Sequence, residues 1–347
     1  MSEIKELLVK TMEKIFKKHI TKETVDLIDE GQWADDVWEI LKENGLLAAC
    51  ISEKAGGAGG DLEDLFSLLK IGGKYAVPIP LMEYIFSNYL LEKFHLAPTD
   101  EMITYNLSDT PDCTLSENGE VSGALPHVAW GRYASNLVTI AKGSGGNYLV
   151  KVPLKDALVK EGANLAGEPR DYIKLTAIPI LEKSRIIDDE QIEEMILLET
   201  AAKCAVIAGT LEKIYESTIE YTKQRQQFGR YIHRFQLIQH HIAQLAGETV
   251  IVDSAVDNMM EALVEKRHRH EIPLTRIRIE EAIRTVSASA HQVHGAIGVT
   301  YEHHLHHYTR RLWSYRDEGR GHLKWSQKLS RDLLQSNNSM WEFLTTY

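Results

Sequence analysis

Apolar positions recur every three or four residues through the first part of the chain, alternate in short runs through the middle, and return to the helical period for nearly all of the remainder. The segments DDVWEILKENGLLAACI, EDLFSLLKIGGKYA and LMEYIFSNYLLEKFH carry that helical period before residue 97. Between the first two lies SEKAGGAGGDLED, whose Gly56, Gly57, Gly59 and Gly60 mark a turn between helices. From residue 98 to 187 the pattern becomes that of strands such as NLVTIAKG and NYLVKVPL, and GSGGN, Gly143 to Asn147, predicts a hairpin turn between them. After Asp188 the helical period resumes, with breaks expected around His268 to Pro273 and at Gly295 to Thr300. Glu190 to Gln224 has no proline and only Gly209 as a breaker, so one long helix is predicted there. Three domains follow, spanning 1–97 (helical), 98–187 (β) and 188–347 (helical).

Composition narrows the class without selecting a function. A chain of 347 residues exceeds what one hydrophobic core usually supports, which agrees with more than one domain. A formal charge of −11 argues against a nucleic-acid partner, because phosphate binding needs clustered Lys and Arg. No apolar run reaches membrane-spanning length, and the N-terminal segment is amphipathic rather than continuously apolar, so no membrane partner and a cytoplasmic location are expected. Cys50, Cys113 and Cys204 are too few and too scattered for a disulfide framework or a zinc site. The glycines at 56–60 follow no β-run and fit neither a P-loop nor a dinucleotide fingerprint.

The chemistry concentrates in YTKQRQQFGRYIHRFQLIQHHIA, Tyr221 to Ala243. Arg225 ends the long predicted helix beside a glycine, a good place for a guanidinium that pairs bidentately with a pyrophosphate and never loses its charge. Together with Gln227, Phe228, Gly229, Phe235 and Gln236, and with HQVHGAIGVTYE further on, the segment resembles the signature of acyl-CoA dehydrogenases. The resemblance implies a mainly α fold with a small β-domain: an N-terminal helical domain, a middle β-barrel-like domain and a C-terminal four-helix bundle. It implies FAD contacted across a subunit boundary by Arg225, Gln227, Phe228, Phe235 and Gln236, and by Gln292, Val293 and Gly295. It also implies an acyl-CoA substrate, an electron-transfer flavoprotein as acceptor, and a homo- or heterotetramer with a homologous subunit. The plain alternatives for these residues are a solvated helix end at Arg225 and a C-cap with left-handed Gly295. HHLHH, His303 to His307, offers two imidazoles four apart, but the spacing suggests no third ligand, and no metal is assigned.

In this family the reaction is α,β-dehydrogenation: a carboxylate takes the α-proton of the thioester while a hydride leaves the β-carbon for the flavin. The base occurs at one of two places. Glu199 stands 26 residues before Arg225 and, on one continuous helix, about 39 Å from it. Glu318, in RDEG, matches the other place but arrives one residue early. Family members that hold their own flavin carry an acidic, glycine-rich loop and a Trp-Ile-Thr strand, whereas alignment here puts His127, Val128 and Ala129 in the strand positions and no such loop between Asp100 and Gly123. Trp130, three residues beyond His127, could stack on a flavin ring, although a buried structural Trp is the more common outcome. The shortened middle domain and the tail RRLWSYRDEGRGHLKWSQKL look like the smaller subunit of heterotetrameric bacterial acyl-CoA dehydrogenases. Three readings stay open: a catalytic dehydrogenase subunit, a non-catalytic partner completing the flavin site of a longer homologue, and a flavin-dependent oxidase or monooxygenase on the same scaffold.

Overall fold

A computed structural model describes residues 3–336 and 339–345. The helical first zone forms α1 (Glu3–His19), α2 (Lys22–Asp26), α3 (Asp35–Glu43), α4 (Leu62–Lys74) and α5 (Leu81–Lys93). The helical period of residues 35–51 is realised only in its first half. α3 stops at Glu43, and Asn44 caps it by donating to the Ile40 carbonyl. Gly45 follows at φ 69, a conformation that glycine adopts without steric penalty and that turns the chain out of the helix. The glycine-rich stretch is a loop that leads into α4, and at Gly57 a side chain would collide with the carbonyls of Ala48 and Ile51.

The middle zone folds into β1 (Ile103–Asn106), β2 (Cys113–Leu115), β3 (Glu120–Ala129), β4 (Asn136–Gly143), β5 (Gly146–Pro153), β6 (Leu158–Lys160), β7 (Arg170–Pro179) and β8 (Glu182–Ile187). Pairing runs β6-β7-β3-β2-β4-β5-β8, with β1 joining β4 in parallel. The β4–β5 hairpin closes with Gly143 opposite Gly146, where the GSGGN turn was expected. Val121, Leu125, Leu137, Val150, Val152 and Ile173 alternate inward to make the core of this sheet. Irregular register between Leu125 and Val128 coincides with His127 at φ 55, so β3 bends at the start of the 127–129 stretch.

The last zone holds α6 (Asp189–Gln224), a short hairpin of β9 (Gln226–Gln227) and β10 (Arg230–Tyr231), then α7 (Gln236–Val264), α8 (His268–His294), α9 (Leu305–Asp317), α10 (His322–Ser336) and α11 (Met340–Thr345). The chain divides into two compact units, Met1–Leu69 with Val77–Glu199, and Lys70–Ala76 with Thr200–Tyr347. In the second unit the end of α4 lies against α6 in backbone contact. A Cβ on Gly73 would strike the Val206 carbonyl, one on Gly209 would strike the Lys70 carbonyl, and the Thr210 hydroxyl donates to the Gly73 carbonyl at 3.2 Å. Gly209 is therefore no helix breaker but the notch that lets two helices touch. Lys74 seals the crossing with Glu212 at 2.7 Å and Glu216 at 2.8 Å.

α7 packs on α8 through Leu245, Thr249, Val252, Val256 and Met259, a spacing of three and four that keeps one stripe inward. The break between these helices falls at residues 265–267, where Lys266 has φ 60, rather than at Pro273. Pro273 sits inside α8 near its start and removes only one early hydrogen-bond donor. The second break is where the sequence put it, a 3₁₀ turn over Gly295–Val299. Among the described residues no helix is long and apolar enough to cross a membrane.

Candidate functional site

α6 runs unbroken to Gln224, and the Arg225 amide donates to the Tyr221 carbonyl at 2.9 Å as a last helical bond. The chain then reverses in the β9–β10 hairpin, whose two central residues are Phe228 at φ 52 and Gly229 at φ 78. Positive φ at both positions is what a two-residue hairpin with matching twist demands, and Asn or Gly normally fills the first. A phenylalanine there is strained, and it is also 91% exposed. Arg225 lies beside it, exposed, and its guanidinium has no partner among the described residues.

Phe235 sits behind the tip, 6.1 Å edge-to-face from Phe228 with the Arg230 guanidinium 4.1 Å above its ring. It occupies the N-cap of α7 without a capping side chain, so the first amides of a long helix, beginning at exposed Gln236, remain open. An open helix N-terminus beside an unpaired arginine suits a phosphate anion. Arg225 and the Phe228 ring are exposed, so the hairpin offers a guanidinium and apolar ring surface to a ligand.

The second segment ends α8. Gln292 is exposed, Val293 is buried, and Gly295 caps the helix at φ 64, ψ −146. That conformation has the expected positive φ but not the left-handed helical ψ, and is open essentially to glycine alone. The two segments are joined inside the unit: the Tyr221 ring stacks on His294 at 4.4 Å and 21°, and its hydroxyl donates to the His294 carbonyl at 3.4 Å. The histidine cluster continues this contact. His303 lies 4.6 Å from His294, and His304 stacks on His303 at 4.4 Å and 22°. His303 and His304 precede α9 instead of sharing its face with His307, so the i, i+4 geometry expected of HHLHH does not form. The stacked rings present faces to one another.

Glu318 ends α9, its amide donating to the Ser314 carbonyl at 3.0 Å, and Gly319 turns the chain at φ 72. Buried Arg276 fixes this loop by donating to the Tyr315 carbonyl at 2.7 Å, while its partner Glu280 accepts from the His322 amide at 2.9 Å.

Glu199 and Trp130 belong to the first unit. Glu199 is half-buried and accepts a long hydrogen bond, 3.4 Å, from the Tyr105 hydroxyl of β1. Burial, with the carboxylates of Glu199 and Glu83 nearby, pushes the Tyr105 phenol well above its usual range, so it stays a donor. Trp130, 3% exposed, has φ 56 and packs among Trp33 and Tyr133 at 6.5 and 6.0 Å. Its ring is committed to this aromatic core. Thr104 donates to the Ala129 carbonyl at 2.6 Å, which ties down the strand that carries no hydroxyl of its own at 127–129. The sequence did not single out Tyr105, Tyr221 or His294. Tyr221 was open to recognition, one helical turn before Arg225, but Tyr105 carries no local signal.

Family models for the acyl-CoA dehydrogenase N-terminal and C-terminal domains match residues 2–88 and 190–317, and together they span more than half of the chain. Acyl-CoA dehydrogenase IpdE2 of Mycolicibacterium smegmatis is 27% identical over 322 residues, covering 90% of this chain and 93% of that protein. The ChsE4-ChsE5 complex of Mycobacterium tuberculosis contains a chain with a TM-score of 0.88 at 19% identity, covering 98% of this chain and 99% of that one. A Tcur3481-Tcur3483 steroid ACAD variant gives 0.86 at 22% identity, covering 96% and 99%. The matched domains, the helical, β, helical order and the two outward-facing segments agree: this chain belongs to the acyl-CoA dehydrogenase family.

Proposed function

We propose that this chain is a subunit of an FAD-dependent acyl-CoA dehydrogenase that assembles with a homologous subunit and converts an acyl-CoA to its 2-enoyl-CoA, with an electron-transfer flavoprotein as acceptor. The family is one of flavoproteins with oxidoreductase chemistry. The observation that carries the reading is the outward hairpin: strained, exposed Phe228 and unpartnered Arg225 beside an open helix N-terminus make half of a cofactor site facing away from their own unit. Arg225 and the first amides of α7 would hold the pyrophosphate, Phe228 and Phe235 would cover apolar ring surface, and Gln292 with the Gly295 turn would approach the cofactor from the second segment. FAD, when bound, supplies the hydride acceptor. Glu199 is the residue of this chain suited to take the α-proton, since it is half-buried and held by a phenol that stays protonated.

A second reading, a non-catalytic partner, is favoured by the missing hydroxyl at 127–129 and by the engagement of Glu199 with Tyr105. The relatives that pair unlike subunits, as the names ChsE4-ChsE5 and Tcur3481-Tcur3483 state for those proteins, support assembly with a homologue in either reading.

Purification with the homologous subunit tests both readings. Arg225→Glu should weaken FAD retention by roughly thirtyfold, about 2 kcal/mol, because a charge-assisted contact becomes repulsive. Unchanged FAD binding removes the pyrophosphate role. In the same assembly Glu199→Gln should abolish turnover while leaving flavin bound, whereas full turnover would favour the non-catalytic reading.

A further inference from the structure

The HHLHH segment has no part in the reading above, yet its rings continue the contact between the two cofactor-facing segments. Hydrogen bonds fix the tautomers of His294, His303 and His306. The His294 Nδ1 lies 2.8 Å from the Ala290 carbonyl, and a carbonyl can only accept, so Nδ1 carries the proton and the buried Nε2 is a bare lone pair without a partner among the described residues. His303 has the opposite arrangement: its Nδ1 accepts from the Leu305 amide at 3.1 Å, one of the unsatisfied donors at the start of α9. The next proton on His303 must go to that nitrogen and break the bond. His306 donates from Nδ1 to the His303 carbonyl at 2.7 Å, which fixes the backbone of the same turn.

Among the described residues, the charged groups that act on His294, His303 and His304 include no carboxylate. α6 faces the column with Lys213 and Tyr221, and α8 with His291. α9 contributes His306, His307 and Tyr308, with Arg311 beyond Tyr308. The carboxylate of Glu216, near Tyr308, is already paired with Lys74. Burial, reinforced by these neighbours, pushes His294, His303 and His304 down to about 4.

We propose that Tyr221, His294, His303 and His304 form a positioning column that sets the Gln292–Gly295 turn against the Arg225 end of α6, and that it holds only while its imidazoles are neutral. The inference rests on the reading of those two segments as cofactor contacts. The carbonyl that Tyr221 grips is that of His294, the residue directly before Gly295, so losing the stack frees the glycine turn without touching the cofactor. Tyr221 and His294 are positioning residues, acting through Gln292 and the Gly295 turn.

The test uses the purified assembly and FAD as probe. Tyr221→Leu should raise the FAD dissociation constant roughly tenfold with the melting temperature of the apo assembly within a few degrees of wild type, and Tyr221→Phe, which keeps the ring, should restore it to within about threefold. Wild-type protein should release FAD as the pH falls from 6.5 towards 4 while far-ultraviolet circular dichroism is still native. The sign follows from the lowered values: imidazoles that resist protonation when folded favour the closed column above pH 6.5 and lose that advantage in acid. Wild-type affinity in Tyr221→Leu, or FAD retained in folded protein at pH 4.5, would overturn the column. The Arg225→Glu measurement separates the failures: if that variant also keeps FAD, the cofactor reading is wrong, and if it alone loses FAD, only the column is wrong.

Discussion

Phe228 is the residue at which the proposed function and local stability most directly conflict. It holds a positive φ that a side chain resists and exposes a large ring to water, two local penalties with no compensating contact except an edge-to-face approach to Phe235. Phe228→Gly should therefore stabilise the isolated chain by about 0.5–1 kcal/mol, seen as a rise in denaturation midpoint, and at the same time weaken FAD binding in the assembly. A loss of stability would mean that the tip packs against its own chain after all. The sequence showed Arg225, Phe228 and Gln292 because they sit in contiguous motifs. It allowed a buried Trp130 but not its partner Trp33, nor that Tyr105 touches Glu199, because both contacts join residues far apart in the chain.

At the scale of elements, periodicity located the helical zones, with α4, α5 and α6 individually, and the β4–β5 hairpin, since a helix stripe and a strand alternation are local consequences of burial on one face. Where it erred, a tertiary demand had overridden a local signal. Apolar residues at 46–51 kept the helical period because they are buried, yet Gly45 at φ 69 had already ended α3. Pro273 looked like a break and is tolerated near the start of α8. Gly209 looked like a weak point in α6 and is instead the place where α6 meets the end of α4. Gly209→Ala should cost about 1–3 kcal/mol, as an overpacked core contact does, because the obstacle is the Lys70 backbone carbonyl, which has no rotamer to escape into. A melting temperature equal to wild type would show that the two helices separate without penalty. Gly247, where a Cβ would meet nothing within 4 Å, is the control on α7: alanine there should be neutral or slightly stabilising by its better helix propensity.

For the whole molecule, the outer side of α7 is the surface on which the proposed half-site would be completed. Its inner stripe packs on α8, but Val250 and Ile251 are 63% and 46% exposed, flanked by exposed Ala243 and Gly247, so small and apolar groups share the outward side. A net charge of −11 would keep such a chain dispersed unless this surface finds a complementary one. α7 begins at Gln236, within the cofactor-facing segment, so a partner seated along this helix would be continuous with the half-site and would bring its own flavin-binding strand towards Arg225 and Phe228. Val250→Asp with Ile251→Asp should then reduce the mass of the assembly measured by light scattering and lower its FAD content in parallel, while the separated chain keeps its native circular dichroism. Loss of mass without loss of FAD would divorce the interface from the cofactor. An unchanged mass would place the subunit contact elsewhere. The parallel loss is expected if the proposed cofactor contact holds, because Phe228 and Arg225 are exposed and Arg225 has no side-chain partner among the described residues.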